Sequence, residues 1–313
     1  MNEEHSPATS LAATLTANRF ALTAEIAPPL SCDPGDVIAL ARPLKGLADA
    51  VNVTDGAGAR AHMGASAAAA ILAREGIEPI QQFTCRDRNR IALQGDLLAA
   101  AALGVRNLLL LRGDDPSAGD QPDAKPVFDL DTVALLRTAA ILRDRGELPS
   151  GRKLDQRPAF FLGVADVPID PPEGWAPHAL AAKADAGAQF VQTQFCMDAG
   201  IVRRYLRRLD EHGLVPRLAI LIGVVPLKSA RAARWMRNHL PGTIIPDAMI
   251  ARLERAADPA AEGRRACVEL MQELAEIPGV AGAHVMAPMN FAEIPGVIVE
   301  SGVAGRKLAH AVH

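Results

Sequence analysis

Eight short runs of β-branched residues and leucine punctuate the chain, and a longer amphipathic stretch follows nearly every one. Read as strands, the runs fall at 20–26, 50–54, 79–85, 107–111, 159–164, 190–195, 218–225 and 283–287. Between them the apolar residues recur at helical rather than alternating spacing. Strand–helix alternation makes successive strands parallel, because each helix carries the chain back across the sheet. The first four runs recur about every 28 residues, the length of one β/α unit. Eight such units close on themselves, so the expected fold is α/β, a single (β/α)8 TIM barrel. A chain of 313 residues, 49% of them apolar, has the length for one such barrel and the material for its core.

The expected helices carry recognisable ends. Asp33-Pro34 joins a capping aspartate to a proline at the first helical position and opens a helix over 35–44. Residues 89–103 place Ile91, Leu93, Leu97 and Leu98 in a helical pattern that stops at Gly104. Asp131, Asp198 and Ser229 open helices that end at Gly146, Gly213 and near Gly242, and a helix over 179–186 ends at Gly187. Two intervals exceed a plain unit: 147–158 delays the fifth strand, and 241–278 holds two extra helices before the eighth. Both read as elaborations of one domain. Residues 1–17, mostly polar or small, read as a flexible N-terminal segment, and 18–313 as the barrel.

Composition excludes several classes. The net charge of −3 leaves no basic excess for nucleic acid and no polybasic run for a membrane surface. No run is long enough to span a bilayer, and the start lacks the pattern of a signal peptide, so a soluble cytoplasmic protein is expected. Cys32, Cys85, Cys196 and Cys267 form no CxxC pair, which argues against zinc and disulfides and for reduced thiols. The eight histidines show no metal-ligand spacing, and no metal is expected. GxSxG and Walker motifs are absent.

A TIM barrel keeps its chemistry at the carboxyl ends of its strands. The residues there are Glu25-Ile26-Ala27-Pro28-Pro29, Thr54-Asp55-Gly56, Thr84-Cys85-Arg86-Asp87, Arg112-Gly113-Asp114-Asp115-Pro116, Asp166 with Pro168, Gln192 with Gln194, Pro226 with Lys228, and Pro288-Met289-Asn290. Polar groups thus gather at one end of otherwise apolar strands. Each has a plainer reading: Glu25 as an acceptor for rim amides, Gly113-Asp114 as a turn, and Gln192 and Gln194, on one face by alternation, as a satisfied core network. His284 reads as a hydrogen-bonded core residue in preference to a base. Gly56-Ala57-Gly58-Ala59-Arg60-Ala61 matches the loose dinucleotide fingerprint, but no acidic residue ends the next strand at the usual distance. A flexible glycine loop beside a cofactor is the better use of those residues.

Taken in order, Ala-Glu-Ile-Ala-Pro-Pro, Val-Thr-Asp-Gly-Ala, Phe-Thr-Cys-Arg-Asp-Arg-Asn-Arg, Leu-Arg-Gly-Asp-Asp-Pro, Lys-Pro-Val-Phe-Asp-Leu-Asp and Lys-Ala-Asp-Ala-Gly-Ala-Gln-Phe-Val-Gln-Thr-Gln-Phe resemble the methylenetetrahydrofolate reductases over about residues 20–306. The resemblance implies a barrel that binds FAD, takes hydride from NADH (NADPH being the alternative) and passes it to a tetrahydrofolate derivative. It implies a catalytic role for Glu25 as proton donor to the folate nitrogen that leaves when the methylene bridge opens. A carboxylic acid can do this near neutrality only where its surroundings favour the protonated form, and Leu22, Ile26 and Ala27 are apolar neighbours. Asp114 and Gln194 match the folate-contacting positions. Thr54, Gln82, Arg112, Gly113, Asp114, Phe128 and Lys183 fall in flavin-binding segments, with Lys183 at the phosphates.

The chain departs from the family at Gln82, where a histidine is usual, at Ala182, where an arginine often precedes Lys183, and at Ala230, where a stacking phenylalanine is often found. The departures leave direct hydride transfer from NADH without flavin as one alternative, and a non-catalytic folate-binding subunit as another. No arginine cluster reads a ribose phosphate, which favours NADH. Family members commonly assemble into homo-oligomers, and the physiological direction is open because a catalyst lowers one barrier for both directions.

Overall fold

The computed structural model describes residues 10–288 and 290–308. Eight parallel strands close in sequence order into a barrel: β1 (Ala21–Ile26), β2 (Ala50–Val53), β3 (Pro79–Thr84), β4 (Asn107–Leu111), β5 (Phe161–Asp166), β6 (Phe190–Phe195), β7 (Ala219–Val224) and β8 (Val280–Val285). The helices are α1 (Ser10–Thr16), α2 (Pro34–Ala41), α3 (Ala65–Arg74), α4 (Arg90–Ala102), α5 (Thr132–Arg145), α6 (His178–Asp185), α7 (Ala199–Glu211), α8 (Ala230–His239), α9 (Asp247–Arg255), α10 (Pro259–Leu274) and α11 (Ile294–Ser301). The expected (β/α)8 barrel is therefore the fold. The two extra helices of the interval 241–278 before β8 are α9 and α10.

The caps act as their residue types dictate. Side chains of Asp33, Asn89, Asp131, Asp198 and Ser229 each accept hydrogen bonds from backbone N–H groups in the first turn of α2, α4, α5, α7 and α8. Two strands differ from expectation by more than one residue. β5 begins at Phe161 rather than 159, and β8 begins at Val280 rather than 283. Gly282, outside the expected strand, lies inside β8, where a Cβ would stand 2.2 Å from the carbonyl oxygen of Ala21. The glycine lets β8 approach β1 and close the barrel.

Outward residues such as Leu22, Ala24, Ile26, Val51 and Val53 pack beneath the helices in the main core. Inward residues make layers. The lowest holds Ala21, Ala50, Ile80, Leu109, Phe190 and Leu221, and Leu11 of α1 is buried against it. Phe161 stacks on Phe190 with ring centroids 5.0 Å apart, and Gly163 leaves the room that this ring takes: a Cβ there would lie 2.2 Å from Phe190 Cζ. α1, within the segment read as N-terminal, packs on this floor through Leu11; residues 1–9, Met289 and 309–313 lie outside the described residues.

The two ends of the described chain meet beside this floor. Phe20 N donates to Arg306 O at 2.7 Å, Leu308 N donates to Asn18 O at 3.0 Å, and Arg19 and Lys307 form an antiparallel bridge. No helix among the described residues is long and apolar enough to cross a membrane.

Candidate active site

Moving up each strand by one pleat, the inward residues become polar. Above the apolar floor come Thr23, Asn52, Gln82, Gln192 and His284, all buried, and above them Glu25, Thr54 and Gln194. A cavity of ≈ 280 Å³ opens here, at the carboxyl ends of the strands. Glu25, Asn52, Gln82, Asp166, Gln194 and His284 contribute to its wall.

Glu25 is its centre. Asn52 Nδ2 donates to Glu25 Oε2 at 3.0 Å and Gln82 Nε2 donates to the same oxygen at 3.2 Å. Gln82 is fixed from behind, because its Oε1 accepts from the backbone N–H of Asp55 at 3.4 Å. Both amide bonds fall on Oε2. Oε1 receives neither of them.

Asp55 organises the adjoining rim. Its Oδ2 accepts from Thr84 N at 2.9 Å, from Thr84 Oγ1 at 3.0 Å and from Arg88. Arg86, nearly buried, is clasped by Asp87 and donates to Gly56 O at 3.0 Å. Gly56 and Gly58 both adopt positive φ, so the glycine loop turns back toward the strand-four loop. There Gly58 N donates to Asp114 Oδ2 at 2.8 Å. Gly119 touches the same loop: a Cβ on it would stand 2.0 Å from Ala59 O.

The residues singled out by sequence separate into two groups. Glu25, Gln82, Lys183 and Gln194 line the cavity. Thr54, Arg112, Gly113, Asp114 and Phe128 stand outside its wall, on the rim. Arg112 and Asp114 are exposed, and the Arg112 guanidinium lies over the Phe128 ring at 4.4 Å from its centroid. Gln194 donates to Pro241 O at 3.3 Å. Lys183 Nζ donates to Ala165 O at 2.6 Å and lies 3.8 Å from Asp166. Burial pushes the Asp166 carboxyl upward, opposed by a hydrogen bond from the buried Tyr205 hydroxyl and by the charge of Lys183.

Sequence reasoning passed over Thr23 and Asn52; His284, read as a hydrogen-bonded core residue in preference to a base, is buried and hydrogen-bonded and also reaches the cavity wall. The signal was available. Alternation that puts Gln192 beside Gln194 also puts Thr23 below Glu25 and Asn52 below Thr54.

A parallel eight-stranded barrel with a partnered acid at its C-terminal mouth has the form of a TIM-barrel catalytic site. The family can be stated as well. The profile of the methylenetetrahydrofolate reductase family matches residues 10–302, and the chain belongs to that family.

Among curated relatives, a probable methylenetetrahydrofolate reductase (NADPH) of Caenorhabditis elegans is 26% identical over 247 residues, which cover 76% of this chain and 34% of that one. The 5,10-methylenetetrahydrofolate reductase of Salmonella typhimurium is 28% identical over 168 residues, covering 52% of this chain and 49% of its own. The matches thus span less than two thirds of the length of these relatives. Among solved structures, an uncharacterized protein from Clostridium thermocellum that binds two copies of 5-methyl-5,6,7,8-tetrahydrofolic acid shares the fold. It has a TM-score of 0.60 and 15% identity, and the match covers 92% of this chain and 95% of that one.

Proposed function

We propose that this chain reduces 5,10-methylenetetrahydrofolate to 5-methyltetrahydrofolate, or runs the same step in reverse, with hydride exchanged with NAD(P)H by way of bound FAD. The observation that carries the reading is Glu25, held in the cavity with both amide donors on Oε2. Opening the bridged methylene to an iminium requires a proton on the departing folate nitrogen, and an acid held in this way can deliver it from Oε1. The folate ligand of the Clostridium thermocellum barrel supports a pterin-bearing substrate for this architecture.

The residues fit a flat, polar heterocycle. Thr54 Oγ1, Asn52 Oδ1 and Gln192 Oε1 are buried without hydrogen-bond partners in or beside the mouth. Such unspent polar groups call for a ligand or ordered water. Thr54, Gln82, Gly113 and the Arg112–Phe128 stack would hold FAD, with Lys183 as the nearby cation. When bound, FAD supplies a two-electron hydride store that lets the two substrates use one mouth in turn. Asp114 would accept from the pterin N–H groups, Gln194 would orient the folate, and Glu25 would move the proton. A cytoplasmic setting and self-assembly belong to the same reading.

One observation favours a second reading, direct transfer from NADH without flavin. Lys183 is already engaged by Ala165 O beside Asp166, and Ala182 and Ala230 offer nothing in place of the residues usual in the family. A visible spectrum of the purified protein decides between them. A flavin spectrum that bleaches with NADH and recovers with methylenetetrahydrofolate is expected. A colourless protein that stays so after FAD is added, yet turns over NADH and folate, selects direct transfer. A protein that reduces no folate by either route defeats the proposal.

A further inference from the structure

The two ring nitrogens of His284 meet different surroundings. The residue is only 2% exposed. Its Nδ1 lies 2.9 Å from Thr23 Oγ1 and 3.3 Å from Gln192 Nε2, and Gln192 Nε2 donates to Thr23 Oγ1 at 3.0 Å. An amide nitrogen only donates, and a hydroxyl that accepts from it has its own hydrogen left to give. Nδ1 therefore faces two donors and is the lone-pair nitrogen, so neutral imidazole carries its hydrogen on Nε2. Nε2 lies 3.6 Å from Glu25 Oε2, the oxygen that Asn52 and Gln82 also face.

We propose that His284 is a positioning residue for Glu25: Thr23 and Gln192 lock its ring so that the Nε2–H is aimed at Oε2, which keeps Oε1 turned to the substrate. This rests on the folate reduction proposed above. When Glu25 acts, its Oε1–H bond breaks, an N–H bond forms on the folate nitrogen, and the carboxylate keeps the electron pair. His284 loses nothing in this step. Its Nε2–H closes from 3.6 Å by somewhat under about 1 Å to a charge-assisted bond with Oε2, as such contacts do when charge develops. Three N–H groups aimed beforehand at one oxygen lower the cost of forming a charge inside the barrel.

Two variants test this. His284→Leu removes the donor at similar bulk, whereas His284→Gln can place an amide N–H where Nε2 stood. His284→Leu is expected to lower kcat for methylenetetrahydrofolate by about 10- to 100-fold, the worth of one hydrogen bond to a charge, with KM for NADH unchanged. His284→Gln is expected to recover most of that loss. Equal losses in both variants, or full turnover in His284→Leu, overturn the proposal. A wild type without folate turnover sinks the functional reading instead. The locked ring is then judged by the ¹⁵N spectrum of histidine-labelled protein, with the His284 signals identified by their absence from His284→Gln. An unprotonated Nδ1 is expected, and a protonated Nδ1 overturns the proposal.

Discussion

The floor and the mouth of this barrel are built by one sheet, one or two inward positions apart along its strands, and they are opposites. At the floor Ala21, Ile80, Leu109, Phe190 and Leu221 pack against Leu11, and the polar groups beside them are paired: Glu78 Oε1 accepts from Leu11 N at 3.2 Å and from Asn107 Nδ2 at 2.7 Å. At the mouth the sheet presents Glu25, Asn52, Gln82, Gln192 and His284, and some of their buried polar atoms are left without partners. The floor spends its side chains on packing. The mouth holds back hydrogen-bonding capacity that a purely structural core would satisfy. The period of two lets one strand serve both ends, because moving two residues along changes the layer without changing the face.

Substitutions at the two ends should therefore separate activity from stability. Glu25→Gln keeps the shape and removes the proton. Folate turnover should fall about 10²- to 10⁴-fold, the range for a lost general acid, while thermal unfolding stays near that of the parent. An active Glu25→Gln enzyme would end the proton-donor assignment. Leu11→Ala should do the reverse. It should lower unfolding free energy by about 2–5 kcal/mol in denaturant titration, with kcat of the folded enzyme unchanged. If it instead cuts kcat without loss of stability, floor and mouth are coupled and the contrast fails.

The smallest effect concerns the thiols. Burial pushes Cys85 up to about 11, and Cys196 and Cys267 up to about 12, whereas Cys32 is exposed. In each buried case the folded value lies above the unfolded one. Folding thus retains protons, and the stability this gives is full below the ordinary thiol range and drains away as pH rises from about 9 toward 11–12. A thiol reagent at pH 8 should label Cys32 quickly and the other three only after unfolding. Fast labelling of Cys85 or Cys196, which directly follow the carboxyl ends of β3 and β6, would show that the mouth opens readily in the folded protein.

Much of the barrel was legible in the sequence, since its signals are local: alternating runs, capping aspartates, terminal glycines. What escaped depends on contacts remote in the chain. α1 contains Ala12, Ala13, Thr14 and Thr16 and looks like an undistinguished leader; only the barrel interior gives Leu11 a place to be buried. The start of β8 was hidden by Gly282, whose meaning lies in the approach of Ala21, far away in sequence. At the site, Glu25 and Gln194 stood out because they end strands. Thr23, Asn52 and His284 are one pleat deeper, where a polar residue in a strand looks like noise until its partners on other strands are known. The placement of Asp114 on the rim, tied to Gly58, needed the loops folded together.

The seam between β1 and β8 also sets an order of events during synthesis. β1 leaves the ribosome long before its partner on one side, which spans Val280–Val285, and the strap over the floor uses Arg306 and Leu308. Until those residues emerge, the nascent sheet has two bare edges, one on β1 and one on whichever strand was made last. The loop that must then close is nearly the whole chain. A growing polypeptide of this kind is exposed to mispairing for most of its translation, so its yield in the cell should respond to chaperone supply more sharply than the stability of the finished barrel would suggest.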